Sequence, residues 1–101
     1  MPLLRIVRMD FSPEKVSDFM TVFNASKQRI RAFPGCLYLA LHTDIHHENV
    51  KYTYSLWESE NALTNYRHSE LFKNTWAKTK ILFQSKPQAF SLVQTEEIQI
   101  P

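Results

Sequence analysis

The chain has 101 residues, a formal net charge of +2 and 44% hydrophobic residues, which suits a single domain, residues 1–101, with a core of its own. Its basic residues are dispersed, so nothing forms the stripe that nucleic-acid binding requires, and no nucleic-acid partner is expected. A single glycine argues against phosphate-cradling loops and against the dinucleotide-binding fold, because both need glycine close to phosphate.

The N-terminal residues and the cysteine content indicate a compartment. The opening sequence, MPLLRIVRMDF, is too short and too charged for a signal peptide or a membrane span. Cys36 is the only cysteine, which rules out an internal disulfide and fits a reducing compartment. We therefore expect a cytoplasmic protein with no membrane partner, in which Cys36 is a small buried hydrophobe rather than a nucleophile.

The first two predicted elements are a strand and a long helix. Leu3 to Phe11 alternates as a strand on which both faces begin apolar. Ser12-Pro13-Glu14 combines a capping side chain, a proline at the first helical position and an acid, which predicts a helix start. Apolar residues at helical spacing extend this helix to about Phe33, and Pro34-Gly35 ends it.

The second strand is predicted from Cys36 to Thr43 and is also apolar on both sides. On one face, alternation places Leu37, Leu39 and Leu41. On the other face, it places Cys36, Tyr38, Ala40 and His42. The polar residues Asp44 to Asn49 then form a hairpin loop into the third strand.

The stretch from Val50 to Phe72 is the most specific signal in the chain. It opens as a strand, Val50 to Trp57, and then changes to helical spacing. Ser59 is a good N-cap for a short helix. Ser69 caps a second, longer helix, which Ser85-Lys86-Pro87 breaks.

The last strand is predicted from Ala89 to Ile98, which gives the order β-α-β-β-α-α-β. This order predicts an α+β fold of the ferredoxin-like, split β-α-β type, with an antiparallel sheet and helices on one face. The two main helices can cover only one face of the sheet, yet strands one, two and four are apolar on both. Because an uncovered apolar face usually marks an interface, we expect a homodimer packed sheet to sheet.

Small polar side chains opposite large aromatic ones predict a cavity between the sheet and the helices. Thr53 and Ser55 should face the helices together with Trp57, since strand side chains repeat every two residues. The aromatic residues expected opposite them are Phe19, Phe23, Phe72 and Trp76. The alternative is a filled core in which the two hydroxyl groups bond to the backbone.

Other polar residues give weaker signals. Tyr66 and His68, where the last two helices meet, and Arg8, in the first strand, could orient a phenol or polarise a carbonyl, or could be structural. The adjacent His46 and His47 cannot easily reach one ion together, so no metal site is expected. No Ser-His-Asp or Cys-His order is recognisable.

The residues Trp57-Glu58-Ser59, Ala62-Leu63, Ser69 and Phe72 resemble the W-E-S-x-x-A-L/F … S-x-x-F stretch of the antibiotic biosynthesis monooxygenase family. The resemblance extends over nearly the whole chain. It implies a dimeric α+β barrel, in which the final strand often reaches across to the partner, and so agrees with the expected homodimer.

Quinone-forming members of this family oxidise electron-rich phenols or quinols with O₂ and without a cofactor, because the substrate anion itself activates oxygen. Their tryptophan matches Trp57, whereas Thr53 and Leu63 stand where they carry asparagine and tyrosine. Tyr66 stands where other members carry histidine. Haem-degrading members carry their proximal histidine where this chain has Trp76, and tryptophan cannot ligate haem iron.

Two hypotheses follow for an aromatic small-molecule ligand. The first is a cofactor-independent monooxygenase that oxidises a phenol or quinol-type molecule with O₂, with Trp57, Tyr66 and Arg8 as its catalytic residues. Its substrate-binding residues would be Thr53, Ser55, Phe23, Phe72, Trp76 and His68. The second is a non-catalytic, dimeric binding or accessory protein that has the same fold and uses the same cavity.

Overall fold

The computed structural model describes residues 2–101, which form one antiparallel sheet of four strands and three α-helices. The strands are β1 (Leu3–Asp10), β2 (Cys36–Thr43), β3 (Val50–Trp57) and β4 (Gln88–Val93). The helices are α1 (Val16–Arg31), α2 (Glu60–Arg67) and α3 (Glu70–Lys80). The sheet order β2-β3-β1-β4 confirms the predicted ferredoxin-like α+β fold. In residues 2–101, no helix combines the length and the apolar character needed to cross a membrane.

The first helix begins later than the sequence predicted. Ser12 makes no side-chain capping hydrogen bond, and Pro13–Lys15 form a 3-10 turn in which the Lys15 N–H donates to the Ser12 carbonyl at 2.8 Å. α1 then starts at Val16 and ends at Arg31. The proline therefore opens a tighter turn rather than the α-helix itself, since proline fixes φ without deciding which kind of helix follows.

The caps of the other two helices are confirmed. The Ser59 hydroxyl accepts a hydrogen bond from the Ala62 N–H at 3.1 Å, and α2 starts directly after it. The Ser69 hydroxyl accepts from the Phe72 N–H at 3.1 Å, and α3 starts directly after it. These two caps fix where the chain turns, because each satisfies an N–H group that the helix itself leaves free.

The last strand is shorter than predicted. β4 ends at Val93 instead of Ile98, because Val93 already pairs with Leu3, the first residue of β1. Residues 94–101 have no strand beside them and carry no regular secondary structure. The side chains of Ile98 and Ile100 on this segment are largely exposed.

A β-bulge changes the faces of β2. Cys36 pairs with Trp57, and Tyr38 already pairs with the neighbouring Leu56, so one residue between them is extra. The prediction that placed Cys36 on the same face as Tyr38 is therefore wrong. Cys36 packs towards the helices with Trp57, whereas Tyr38 points away from them.

On the helix-facing side of the sheet, the side chains are large at both ends and short in the middle of β3 and β4. One end is filled by a buried cluster of Leu3, Cys36, Trp57 and Leu63. The other end is filled by a buried cluster of Met9, Phe11, Phe19 and Leu82. Between them, the positions of β3 and β4 that pair with Arg5 and Val7 of β1 carry short side chains, which are Thr53, Ser55, Ala89 and Ser91. The core is therefore divided in two, with short side chains between its halves.

The opposite side of the sheet, here called the open face, is covered by no helix of residues 2–101 and is largely apolar. The strand register aligns its side chains in rows across all four strands. The first row is Tyr38, Leu56, Leu4 and Leu92. The second row is Ala40, Tyr54, Ile6 and Phe90. Polar residues enter only in the third row, which is His42, Tyr52, Arg8 and Gln88.

Asp10 ties the segment after α3 to the end of β1. Its carboxylate accepts hydrogen bonds from Ser85 Oγ at 2.7 Å, Gln84 Nε2 at 2.9 Å and Asn49 Nδ2 at 3.1 Å. These bonds, the one from Ser85 above all, hold the pKa of Asp10 below its usual value. Ser85, which the sequence analysis interpreted only as part of a helix breaker, thus helps to fix the path of the chain into β4.

We predict that Gly35→Ala destabilises the fold. Gly35 has a φ of 89°, and a Cβ there would lie 2.5 Å from Ala62 Cβ. The strained backbone and the close contact should lower the free energy of unfolding by about 1–3 kcal/mol, measured by urea denaturation. In an Ala62→Gly background, where the contact is relieved, the same substitution should cost less. An unchanged urea midpoint for Gly35→Ala would contradict this account.

Candidate functional site

A cavity of about 300 Å³ lies between the sheet and the helices. It occupies the gap between the two core clusters, above the short side chains in the middle of the sheet. Thr53 and Ser55 of β3, Val7 of β1 and Ala89 of β4 form part of its sheet side. The space that the sequence predicted between small and aromatic side chains is therefore open rather than filled.

Four aromatic side chains, one from β3, one from α2 and two from α3, line the cavity in a continuous row of ring contacts, here called the aromatic wall. The rings of Trp57 and Tyr66 stack with centroids 4.9 Å apart. Tyr66 meets the Phe72 ring edge to face at 5.3 Å, and Phe72 stacks on Trp76 at 5.8 Å. Because each ring is oriented by the next, the wall is a preformed apolar surface for a flat ligand.

Trp57 is almost fully buried, with 1% of its surface exposed. Its indole N–H donates to Ser55 Oγ at 3.0 Å, and the Ser55 hydroxyl lies 3.5 Å from the Arg5 carbonyl, to which it donates. The indole donor is therefore already engaged within the protein. Trp57 contributes to the cavity as a rigid wall held in place by Ser55, rather than as a free hydrogen-bond donor.

Tyr66 is the one phenol on the cavity within residues 2–101. Burial, and to a smaller degree the neighbouring Cys36, raise the pKa of Tyr66 well above its ordinary value. Its hydroxyl is therefore neutral near pH 7. It can donate a hydrogen bond to a ligand, but it cannot serve as a base at that pH.

Two arginines lie on the cavity, Arg5 from β1 and Arg67 from the end of α2. Arg5 is half-buried, and its Nη1 donates to Ser91 Oγ at 2.8 Å. Burial, followed by the positive charge of Arg67, lowers the pKa of the Arg5 guanidinium. In the described part of the chain, no carboxylate lies within ion-pair distance of either guanidinium.

The rest of the lining is uncharged. Across residues 2–101, no aspartate, glutamate, histidine or lysine side chain lines the cavity. The same residues contain no group of three histidine, cysteine, aspartate or glutamate side chains that could hold a metal ion. The cavity therefore offers an apolar space, one neutral phenol and two cations, without a group that accepts a proton near pH 7.

The sequence profile of the antibiotic biosynthesis monooxygenase family matches residues 2–78. The chain belongs to this family. No curated protein matches the sequence at a significant level.

Several solved structures superpose closely on this chain. A protein from Mycobacterium tuberculosis has 21% identity and a TM-score of 0.88, over 98% of this chain and 100% of that one. A conserved protein from Methanosarcina mazei has 15% identity and a TM-score of 0.88, over 91% of each chain. A structure named as an antibiotic biosynthesis monooxygenase has 16% identity and a TM-score of 0.88, over 93% of this chain and 99% of that one. At these identities the likeness shows a shared fold.

Seven of the nine residues predicted for the site line the cavity. They are Trp57, Tyr66, Thr53, Ser55, Phe23, Phe72 and Trp76. They come together because β3 presents alternate residues to the helices, while α1 and α3 present their apolar sides to the same space.

Arg8 and His68 do not line the cavity. Arg8 lies on the open face, beside Tyr52 and Gln88 in the strand register, and His68 is an exposed residue at the C-terminal end of α2. Arg8, the arginine that the sequence analysis proposed as catalytic, therefore lies away from the cavity. Since neighbouring strand residues point to opposite faces, position 8 cannot share a face with Val7.

The sequence analysis missed Arg5 and Arg67. A signal existed for Arg5, because the alternation that put Leu3, Val7 and Met9 on one face of β1 also puts position 5 there. No comparable signal existed for Arg67. Its position at the cavity depends on how the last turn of α2 packs over the sheet, which periodicity alone does not fix.

We predict that Ser55→Ala destabilises the protein by removing the acceptor of the buried Trp57 indole N–H. A buried donor without a partner should lower the free energy of unfolding by about 1–3 kcal/mol in urea denaturation. Ser91→Ala is the matched control, because Ser91 flanks Arg5 on the other side and its hydrogen bond is exposed. The control should change stability by under about 0.5 kcal/mol. Equal losses for the two variants would contradict the assignment.

Proposed function

We propose that the protein is a cofactor-independent monooxygenase that oxidises a phenol or quinol of one or two aromatic rings with O₂. The observation that carries this proposal is the cavity with its aromatic wall, which suits a flat apolar ligand, in a member of this family. A volume of about 300 Å³ stands at the lower end for small-molecule sites, which favours a compact substrate over a large polycyclic one.

The reaction balances without a cofactor when the substrate is a phenol with a free ring position opposite its oxygen. The phenolate gives electrons to O₂, and one oxygen atom bonds to the ring carbon. The other oxygen atom leaves as water together with two hydrogens of the substrate, and the ring becomes a quinone. The protein needs only to hold the anion and O₂ together and to exclude bulk water.

The cavity residues have distinct roles in this proposal. Trp57, Phe72 and Trp76 hold the ring of the substrate between flat surfaces. Tyr66, which is neutral near pH 7, donates a hydrogen bond to a substrate oxygen and so orients it. Thr53 leaves room above the sheet and offers a second hydroxyl.

A second candidate is a binding or accessory protein that uses the cavity without catalysis. The observation that favours it is the lack of a proton-accepting side chain among the lining residues described. The departures from the family pattern at Thr53 and Leu63 point the same way. The two candidates differ in whether the bound aromatic compound consumes O₂.

We expect O₂ uptake, followed with an oxygen electrode, with at least one member of a panel of phenols, naphthols and dihydroxynaphthalenes in which the ring position opposite one hydroxyl is free. Tyr66→Phe should lower kcat about tenfold, because it removes one orienting hydrogen bond. Trp57→Phe should lower kcat through loss of the ordered wall. Tyr52→Phe, a tyrosine of the open face, is the control and should leave kcat unchanged. Saturable binding of these compounds without any O₂ uptake would favour the binding protein instead.

We also propose that the protein is a homodimer that covers the open face. The two edge strands, β2 and β4, contribute apolar side chains there that remain substantially exposed in the single chain, namely Tyr38 at 47%, Phe90 at 48% and Leu92 at 48%. An apolar patch spanning a whole sheet face is unusual on a monomer. A second copy would bury the same rows on both partners symmetrically.

The dimer predicts a solution mass of about twice 11.9 kDa in light scattering coupled to size exclusion. Phe90→Glu and Leu92→Glu each place a charge in the buried contact and should shift the mass towards the monomer. Ile45→Glu is the control, because Ile45 is 89% exposed in the loop before β3 and outside the open face. A wild-type mass of one subunit would refute the dimer.

A further inference from the structure

The charged side chains that line the cavity in residues 2–101 are all positive. The titratable and charged groups that line it in residues 2–101 are Arg5 of β1 and Tyr66 and Arg67 of α2, with the Cys36 thiol behind Tyr66. The other strands and helices contribute apolar or uncharged polar side chains to the lining. Two guanidiniums therefore face an apolar space in which the only other titratable group is a neutral phenol.

The two guanidiniums are also uncompensated. Arg5 is half-buried, and its side-chain partner is the neutral Ser91 hydroxyl, while Arg67 lines the cavity and is an exposed residue. Among residues 2–101, the carboxylates that form ion pairs are Asp44 and Glu48, in the distant hairpin loop. Like charges brought to one partly buried site repel each other, and an anion bound between them would relieve that repulsion.

We propose that Arg5 and Arg67 together bind the oxyanion of a phenolic ligand, so that their charge, and not a protein base, ionises it. The proposal rests on the proposed function for the identity of the ligand as a phenol. The aromatic body lies against the aromatic wall, and the oxygen points towards the two arginines. The ligand O–H bond breaks, its electron pair stays on the oxygen, and the proton passes to solvent water on the Arg67 side.

This arrangement explains how a cavity without a base could still produce the reactive anion. Guanidinium groups stay protonated and donate several hydrogen bonds in one plane, which suits an oxyanion. The neutral Tyr66 hydroxyl adds a donor without adding a negative charge. Arg5 and Arg67 thereby act on the ionisation of the ligand, and Tyr66 acts on its orientation.

The test uses 4-nitrophenol, a one-ring phenol whose anion absorbs visible light and whose neutral form does not. A pH titration of the protein-bound probe gives its acid dissociation constant directly, without O₂ or turnover. Bound to the wild-type protein, the probe should have a dissociation constant about tenfold higher than free in solution. Arg5→Gln and Arg67→Gln should each return the constant towards the free value. Arg67→Lys, which keeps the charge, should retain most of the effect.

Arg29→Gln is the control, because Arg29 is exposed on α1 and lines neither the cavity nor the open face, and it should leave the bound constant unchanged. Arg67 is exposed, so its variants should fold even if Arg5→Gln does not. A bound constant equal to the free one, one that does not respond to either glutamine variant, or no binding of the probe would overturn the proposal. Absence of O₂ uptake alongside the tenfold effect would refute the monooxygenase while leaving the anion site standing.

Discussion

The structure depends on the short side chains in the middle of the helix-facing side of the sheet. Thr53 and Ser55 pair across the register with Val7 and Arg5, and Ala89 continues the row into β4. The aromatic side chains of the helices do not fill the space above these short side chains. The core therefore closes separately at each end of the sheet, and a cavity remains between its two halves.

The elements that the sequence predicted well are those set by local chemistry. Ser59 and Ser69 cap their helices as expected, and β3 has the predicted bounds, because capping side chains and alternation act within a few residues. The faces of β2 could not be predicted in the same way. A bulge adds one residue on one strand only, so Cys36 changes face relative to Tyr38 without any local sign in the sequence.

In the candidate site, too, the features set by local spacing could be predicted, and those set by tertiary packing could not. Much of its apolar wall follows from periodicity, since Phe72 and Trp76 lie four residues apart on α3 and Trp57 shares a face of β3 with Thr53 and Ser55. Its charges do not. Arg5 is a cation on an otherwise apolar strand face, and its meaning depends on Arg67, which arrives from another element and only in the folded chain. A pair of like charges from distant positions is a tertiary property, and only the packing of α2 against β3 and α3 brings Arg67 to the cavity that Arg5 also lines.

The strand β4 contributes side chains both to the cavity and to the open face. This strand pairs with β1 alone, and every one of its residues is exposed in the single chain. Yet it supplies Ala89 to the cavity and Ser91 to Arg5 on one side, and Phe90 and Leu92 to the open face on the other. In the proposed dimer, the partner would pack against Phe90 and Leu92 and so stabilise the pairing of β4 with β1. Assembly would thus fix the position of Ser91, and through its hydrogen bond to Arg5 it would orient the charge that faces the ligand.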